Sequence, residues 1–256
     1  MKRVVSSSSE VRRKLDRIRA LRGDGARLRE FALEILPREG NPELLAAALR
    51  ALSPAVRAED HPTLIELYEH LESDAKRRDV GGTVRVEVLN ALWHLRNKND
   101  AELAQRAATT RELSLNGDGA MIRAAGLALL GVLDPSAANM VAAQMLGTGD
   151  ADKFAAQPAL TAASLLAAHG EFVALALYAQ ASVHTGPPEV VAECLRALSG
   201  VPASQLSHLL ATVAISTDEV LLLGLCDFIV THPPDPLTAE LARQTFRHRG
   251  HDEIYA

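Results

Sequence analysis

The stretch PELLAAALRALS, Pro42 to Ser53, returns as PEVVAECLRALS, Pro188 to Ser199, nearly residue for residue. Both copies open on Pro-Glu, the pair favoured in a helix's first turn, and both then place apolar residues three and four apart. One helical unit has been used more than once, and such units bury their apolar faces by stacking on neighbours. An all-α chain is the direct reading.

Working outward from these two copies, the same period holds almost everywhere, and alternating β-branched runs bounded by turns are missing. Clusters rich in Gly, Pro, Asn and Asp, such as Gly23 to Gly25, Pro37 to Pro42, Asp79 to Gly82 and Gly186 to Pro188, divide the chain. The segments between them run to about 11–18 residues with short connections, which predicts roughly thirteen helices in antiparallel hairpins. Residues 1–9, with the Ser6 to Ser9 run, read as a flexible tail, and Ser9 reads as the cap of a helix beginning at Glu10. Residues 1–256 contain no linker long enough to separate domains, so a single continuous domain is expected.

Composition narrows the class. Of the 256 residues 48% are hydrophobic but only 4% aromatic, so Ala and Leu must do the packing, through close helix contacts. The net charge of −5 is uneven: ten Lys or Arg stand between Met1 and Arg29 against Glu10, Asp16 and Asp24, and the remainder is acidic. A chain-wide basic footprint for nucleic acid is absent. Cys194 and Cys226 lie in apolar helical patterns without a CxxC partner and read as buried small hydrophobes of a reducing compartment. MKR at the start leads into serines and charge instead of the apolar core of a signal peptide. The longest apolar runs, Phe172 to Ala181 and Val220 to Cys226, are far shorter than the roughly 18 residues of a membrane span. A soluble cytoplasmic protein is expected.

The segment Asp118 to Leu146, DGAMIRAAGLALLGVLDPSAANMVAAQML, resembles a HEAT repeat of the short bacterial kind also found in phycobilisome-lyase-type repeats. Asp118, Ile122, Arg123, Ala124, Ala125, Leu130, Gly131, Asp134, Pro135 and Ala137 stand where that pattern has them, and Val84-Arg85 with Ala91-Leu92 is the next best match. The resemblance extends over most of the chain at repeat level and implies an irregular α-solenoid, but names no activity. It also implies that the helix carrying Val-Arg lines the concave side and that its Arg forms a ladder with turn aspartates. Arg85 and Arg123 occupy that position, whereas Leu45, Thr161, Val191 and Leu222 occupy it elsewhere, so the ladder is mostly broken. Burial, at roughly 25 cal/mol per Å² of apolar surface, is then expected to supply most of the cohesion.

Catalytic and cofactor motifs lack essential members. LGTGDADK, Leu146 to Lys153, has no Gly-Lys-Ser/Thr and no preceding strand, and Asn116 to Gly119 lacks the later carboxylates of a calcium loop. Some HEAT-type proteins are metal hydroxylases with paired His-Glu dipeptides. This chain has none, its nearest approaches being Glu69-His70 and His169-Gly170-Glu171. His248 and His251 with Asp252 and Glu253 have ligand spacing, although a solvated terminal helix explains them as well. There is no Gly-x-Ser-x-Gly elbow and no cysteine with a histidine nearby in sequence. No cofactor, no metal and no enzymatic activity are expected.

Two functional readings remain. In register with the ladder position, the concave rows read Ala47, Glu87, Ala125, Ala163, Glu193, Gly224 and Arg50, Asn90, Ala128, Leu166, Arg196, Asp227, followed by His94 and Val132. The candidate partner-binding residues are Glu87, Asn90, His94, Ala125, Ala128, Val132, Ala163, Leu166, Glu193 and Arg196, an apolar middle with polar flanks that suits a partner helix or peptide. The leading expectation is therefore a non-enzymatic protein-interaction scaffold or regulatory module with an unidentified protein partner. The alternative is a HEAT-like DNA-binding protein or DNA glycosylase, based on Arg12, Arg13, Lys14, Arg17, Arg19 and Arg22 in the first helix. A chromophore lyase or chaperone is more distant. A basic groove near Trp93 would favour nucleic acid, and an apolar groove with neutral or acidic rims a peptide.

Overall fold

A computed structural model describes residues 5–112, 119–152 and 155–247. Among them are fifteen α-helices, short 3₁₀ turns and a lone β-bridge between Ala151 and Pro158, but no strand. By packing the chain divides into two compact units, Met1–Ala138 and Asn139–Ala256. The division falls inside a helix and not at a linker, so composition does not mark it.

The first unit contains α1 (Ser8–Ala20), α2 (Gly25–Ile35), α3 (Pro42–Leu52), α4 (His61–Glu72), the single turn α5 (Ala75–Arg78), α6 (Thr83–Leu95), α7 (Ala101–Ala108) and α8 (Ala120–Leu133), and the start of α9 (Pro135–Gly147). Within this unit α3, α6 and α8 pack side by side in chain order, with α2 against α3, α4 against α6 and α7 against α8. The second unit takes the rest of α9 and adds α10 (Ala159–Ala168), α11 (Phe172–Ser182), α12 (Pro188–Ala197), α13 (Ser207–Ala214), α14 (Glu219–Thr231) and α15 (Pro236–Arg247). There α12 lies between α10 and α14, while α11 packs on α12 and α13 on α14.

At several helices, α1, α2, α3 and α14 among them, a short polar side chain accepts from otherwise unpaired first-turn N–H groups. Asn41 Oδ1 accepts from Leu44 N at 3.0 Å, and Asp218 Oδ1 accepts from Val220 N and Leu221 N at 2.9 and 3.1 Å. At the amino end the structure corrects the sequence expectation. Ser8 and Ser9 are already helical, Ser7 is the cap in a reciprocal box with Glu10, and Ser6 is anchored to Glu39, so Ser6 to Ser9 form no tail.

The two copies of the repeat bury the same register. Leu44, Leu45, Ala46, Ala48, Leu49 and Leu52 of the first are buried, as are Val190, Val191, Ala192, Cys194, Leu195 and Leu198 of the second. Small residues let the helices approach closely, as the aliphatic composition requires. A Cβ built on Gly126 of α8 would stand 2.5 Å from the Ala108 backbone nitrogen of α7 and 2.7 Å from Ala107 Cβ. Gly224 of α14 meets Ala192 of α12 in the same way, at 2.7 Å from its Cα.

Both arginines expected at the ladder position are buried. Arg85 on α6 is buried; its Nε donates to Asp79 Oδ2 at 3.1 Å and its two terminal nitrogens to the Glu112 carboxylate at 2.5 and 2.7 Å. Asp79 also accepts from the backbone N–H groups of Val84 and Arg85. Burial alone would lower the Arg85 pKa, but Glu112 and Asp79 outweigh it and raise it above its ordinary value. Arg123, equally buried on α8, donates to the Thr110 carbonyl at 3.1 Å.

Two measurements check this packing. Gly126→Ala gains about 1 kcal/mol of helix propensity, but its methyl meets backbone that cannot give way, an overpacking cost of about 3 kcal/mol; melting should fall by roughly 4–8 °C. An unchanged or raised melting temperature would contradict the close α7–α8 contact. At Glu39, desolvation pushes the carboxyl up, but the Ser6 hydroxyl, the Lys14 ammonium and the backbone N–H groups of Asn41 and Ser6 hold it down at about 2, against an ordinary 4.5. A depressed carboxyl stabilises the fold above its unfolded pKa and loses that contribution as pH falls through the folded one. Wild type should therefore exceed Glu39→Gln by up to about 3 kcal/mol near neutrality, the gap closing as pH drops below the ordinary carboxylate range. A pH-independent gap in thermal melts would refute the assignment.

Candidate functional site

The sequence-expected rows fall on α6, α8, α10 and α12, and many of their polar groups are already satisfied within the fold. Glu87 accepts from Arg50 Nε of α3 at 2.6 Å and from Asn90 Nδ2 at 3.5 Å. His94 is exposed, edge-on to Trp93 with ring centroids 5.2 Å apart. Ala125, Ala128 and Val132 on α8 are half-buried. In the second unit Glu193 accepts from the Ser164 hydroxyl at 2.8 Å and pairs with Arg196, which reaches Asp227 of α14 at 2.8 Å. Ala163 and Leu166 are 0% and 1% exposed. Those two are a correction: they are core of the second unit and line no open groove, because α10 turns this face onto its neighbours. The flanking charges act first as cross-links between adjacent helices: Arg50 to α6 and Arg196 to α14 are the same repeat position making the same kind of bond.

A better-formed concavity lies in the first unit, an open depression of about 760 Å³ between α1, α3 and the turn that leads into α6. Leu15, Ile18 and Arg19 recur at i, i+3 and i+4 on one face of α1, supplying an apolar wall and a guanidinium group, and Arg22, in the turn just past the end of the helix, adds a second. Ala46, Ala47 and Ala51 on α3 make a floor of small side chains, beside Arg50. Arg77 and Val80 come from the turn after α4, where Val80 is 57% exposed despite being aliphatic.

The charge balance of this depression is its main feature. Four arginines, Arg19, Arg22, Arg50 and Arg77, face Glu43 and Asp79 as the acidic lining residues. Asp79 is 1% exposed and committed to Arg85, so it offers little to a ligand. Arg19 pairs with Asp16 at 2.9 Å and Arg50 with Glu87 at 2.6 Å, whereas Arg22 and Arg77 make no ion pair among the described residues. The neighbouring Arg78 bends back to donate to the His70 carbonyl and Ser73, leaving Lys76 and Arg77 as the exposed charges of that turn, of which Arg77 lines the depression.

The basic first helix is thereby divided by role. Lys14 reaches Glu39 at 2.9 Å and Arg17 covers the Phe31 ring at 4.1 Å, both structural, while Arg19 and Arg22 rim the depression. Sequence reading counted these charges but missed the depression; the signal was the shared face of Leu15, Ile18 and Arg19. Arg77 and Val80 gave no signal beyond a turn cluster.

For chemistry the arrangement offers little. Among the described residues no three His, Cys, Asp or Glu side chains are grouped to hold a metal ion. Burial, helped by the nearby Glu193 charge, pushes the Cys194 thiol up to about 12, so it is no thiolate nucleophile. Lys153, His248, His251 and residues 116–118 lie outside the described residues. No described helix is long and apolar enough to cross a membrane. Compared with known protein families, curated proteins and solved structures, the chain matches none.

Ala163→Glu buries an unpaired carboxylate and should cost several kcal/mol, abolishing cooperative melting of the second unit. Arg22→Glu with Arg77→Glu alters only exposed groups and should shift the melting temperature by no more than about 2 °C. Reversal of these two outcomes in thermal melts would mean that core and surface have been assigned wrongly.

Proposed function

We propose that the chain is a HEAT-like α-solenoid acting as a non-enzymatic protein-interaction module, a subunit or regulatory element of a larger cytoplasmic assembly. Side-by-side helices with a partner helix on each, repeated register between α3 and α12, and charge bridges from one repeat to the next support the solenoid reading. The observation that carries the interaction reading is the depression of the first unit, an apolar floor rimmed by arginines that the fold leaves without full counter-charge. It replaces the α8–α10 stripe as the expected partner site.

Nucleic acid is the competing reading, because four guanidinium groups converge there. Strong electrostatic footprints on duplex DNA use roughly six to ten phosphate contacts, and a phosphodiester backbone has nothing to place on an apolar floor. Trp93 is not among the lining residues. Ten residues beyond Thr83 on α6, it is about 15 Å further along the helix axis, so the basic depression and the tryptophan do not make one base-binding site.

Affinity capture from the native cell, followed by mass spectrometry, tests the reading. Wild type should recover a stoichiometric protein that Arg22→Glu with Arg77→Glu loses by tenfold or more, while an equal recovery by both would remove the depression from the function. Recovery of nucleic acid alone, sensitive to nuclease, would overturn the protein-interaction reading itself.

A further inference from the structure

We infer that the depression of the first unit receives an acidic amphipathic segment of a partner protein, its carboxylates on the arginine rim and its apolar side chains on the α1–α3 floor; this rests on the interaction reading above. The inference comes from charge complementarity within a chain of opposite overall sign. The molecule carries −5, yet here Arg22 and Arg77 stand exposed without an ion pair among the described residues, and Arg19 and Arg50 are held only by exposed or part-buried carboxylates. Guanidinium groups bind carboxylates through paired N–H donors, and surface pairs such as Arg19–Asp16 are worth so little that an incoming carboxylate can compete for them.

The floor decides between kinds of anion. Ile18 and Leu28 are buried, Leu15 is half-buried, and Val80 and Pro54 project from the edges. A small polyanion would satisfy the rim and leave Val80 in water. A segment with carboxylates on one face and aliphatic residues on another covers both, which is the helix-in-groove mode of recognition. The alanines Ala46, Ala47 and Ala51 leave room for incoming side chains where larger residues would fill the space themselves.

The test uses the full chain and three fluorescent probes of defined composition: a synthetic peptide alternating Leu at helical spacing with Glu, the same peptide with Lys for Glu, and a duplex DNA. Fluorescence anisotropy should show the Glu peptide bound at least about tenfold more tightly than the Lys peptide, with affinity falling as salt is raised, as exposed charges require. Arg22→Glu with Arg77→Glu should weaken the Glu peptide about tenfold or more. Val80→Ser should weaken it about threefold while keeping the salt dependence of wild type, which the arginine variant should largely lose. Arg13→Glu with Arg38→Glu, the same change of charge at exposed positions away from the depression, should leave it within about twofold. Circular dichroism of each variant establishes that the fold is kept. Equal binding of the two peptides, an equal loss in the Arg13/Arg38 control, or displacement of the Glu peptide by duplex DNA overturns the inference. If the Glu peptide fails while capture of a native protein still depends on Arg22 and Arg77, the acidic chemistry is wrong and the interaction reading stands; if both fail, the reading falls with it.

Discussion

The buried guanidinium of Arg85 is the interaction on which the first unit's arrangement depends. A fully enclosed arginine is tolerated only when its charge and donors are met, and here Asp79 and Glu112 meet them from two different connections, one leading into α6 and one following α7. The pairing therefore fixes two loops against one helix, and Asp79 holds the start of α6 as well through Val84 N and Arg85 N. A consequence reaches the surface. With its aspartate turned inward, the α5 turn presents Arg77 and Val80 outward, and the depression keeps a positive rim that a nearby acid would otherwise neutralise.

Repetition explains much of the remainder. The α3 and α12 copies bury equivalent positions, and the exposed arginine within each copy, Arg50 or Arg196, bridges to a neighbouring helix of its own unit. These exposed pairs add little stability individually. Their value is registry: they fix which turn of one helix faces which turn of the next, while contacts such as Gly126 on Ala107 and Gly224 on Ala192 set the spacing. A chain with 4% aromatic residues has few large side chains to fill wider gaps, so close approach is the available solution.

The helices and their internal repeat were legible because both are local patterns: period, caps and punctuation lie within a few residues of one another. The amino end was misread because four serines in a row resemble a tail, and the partner that anchors Ser6, the carboxylate of Glu39, is more than thirty residues away. Ala163 and Leu166 were misplaced for the same physical reason. Register correctly places Glu87 and Glu193 on one helical row, but their engagement by Arg50 and Ser164 depends on neighbouring helices. Ala163 and Leu166 could not be told from exposed alanine and leucine until the packing of α10 was known. The depression combines α1, α3 and the α5 turn, segments some thirty residues apart, and only the α1 face carried a readable mark.

Arginine suits this rim in a way that lysine would not. A lysine at positions 19, 22, 50 or 77 would place a strongly hydrated point charge there, whereas a guanidinium lays a planar, weakly hydrated group along the floor and still presents paired donors. Its aliphatic stem can cover apolar surface while the depression is empty. The same side chains can then shield the alanine floor in the free protein and turn outward to an acidic partner. Like charges on two copies repel across such a rim, whereas a segment of opposite sign is drawn to it.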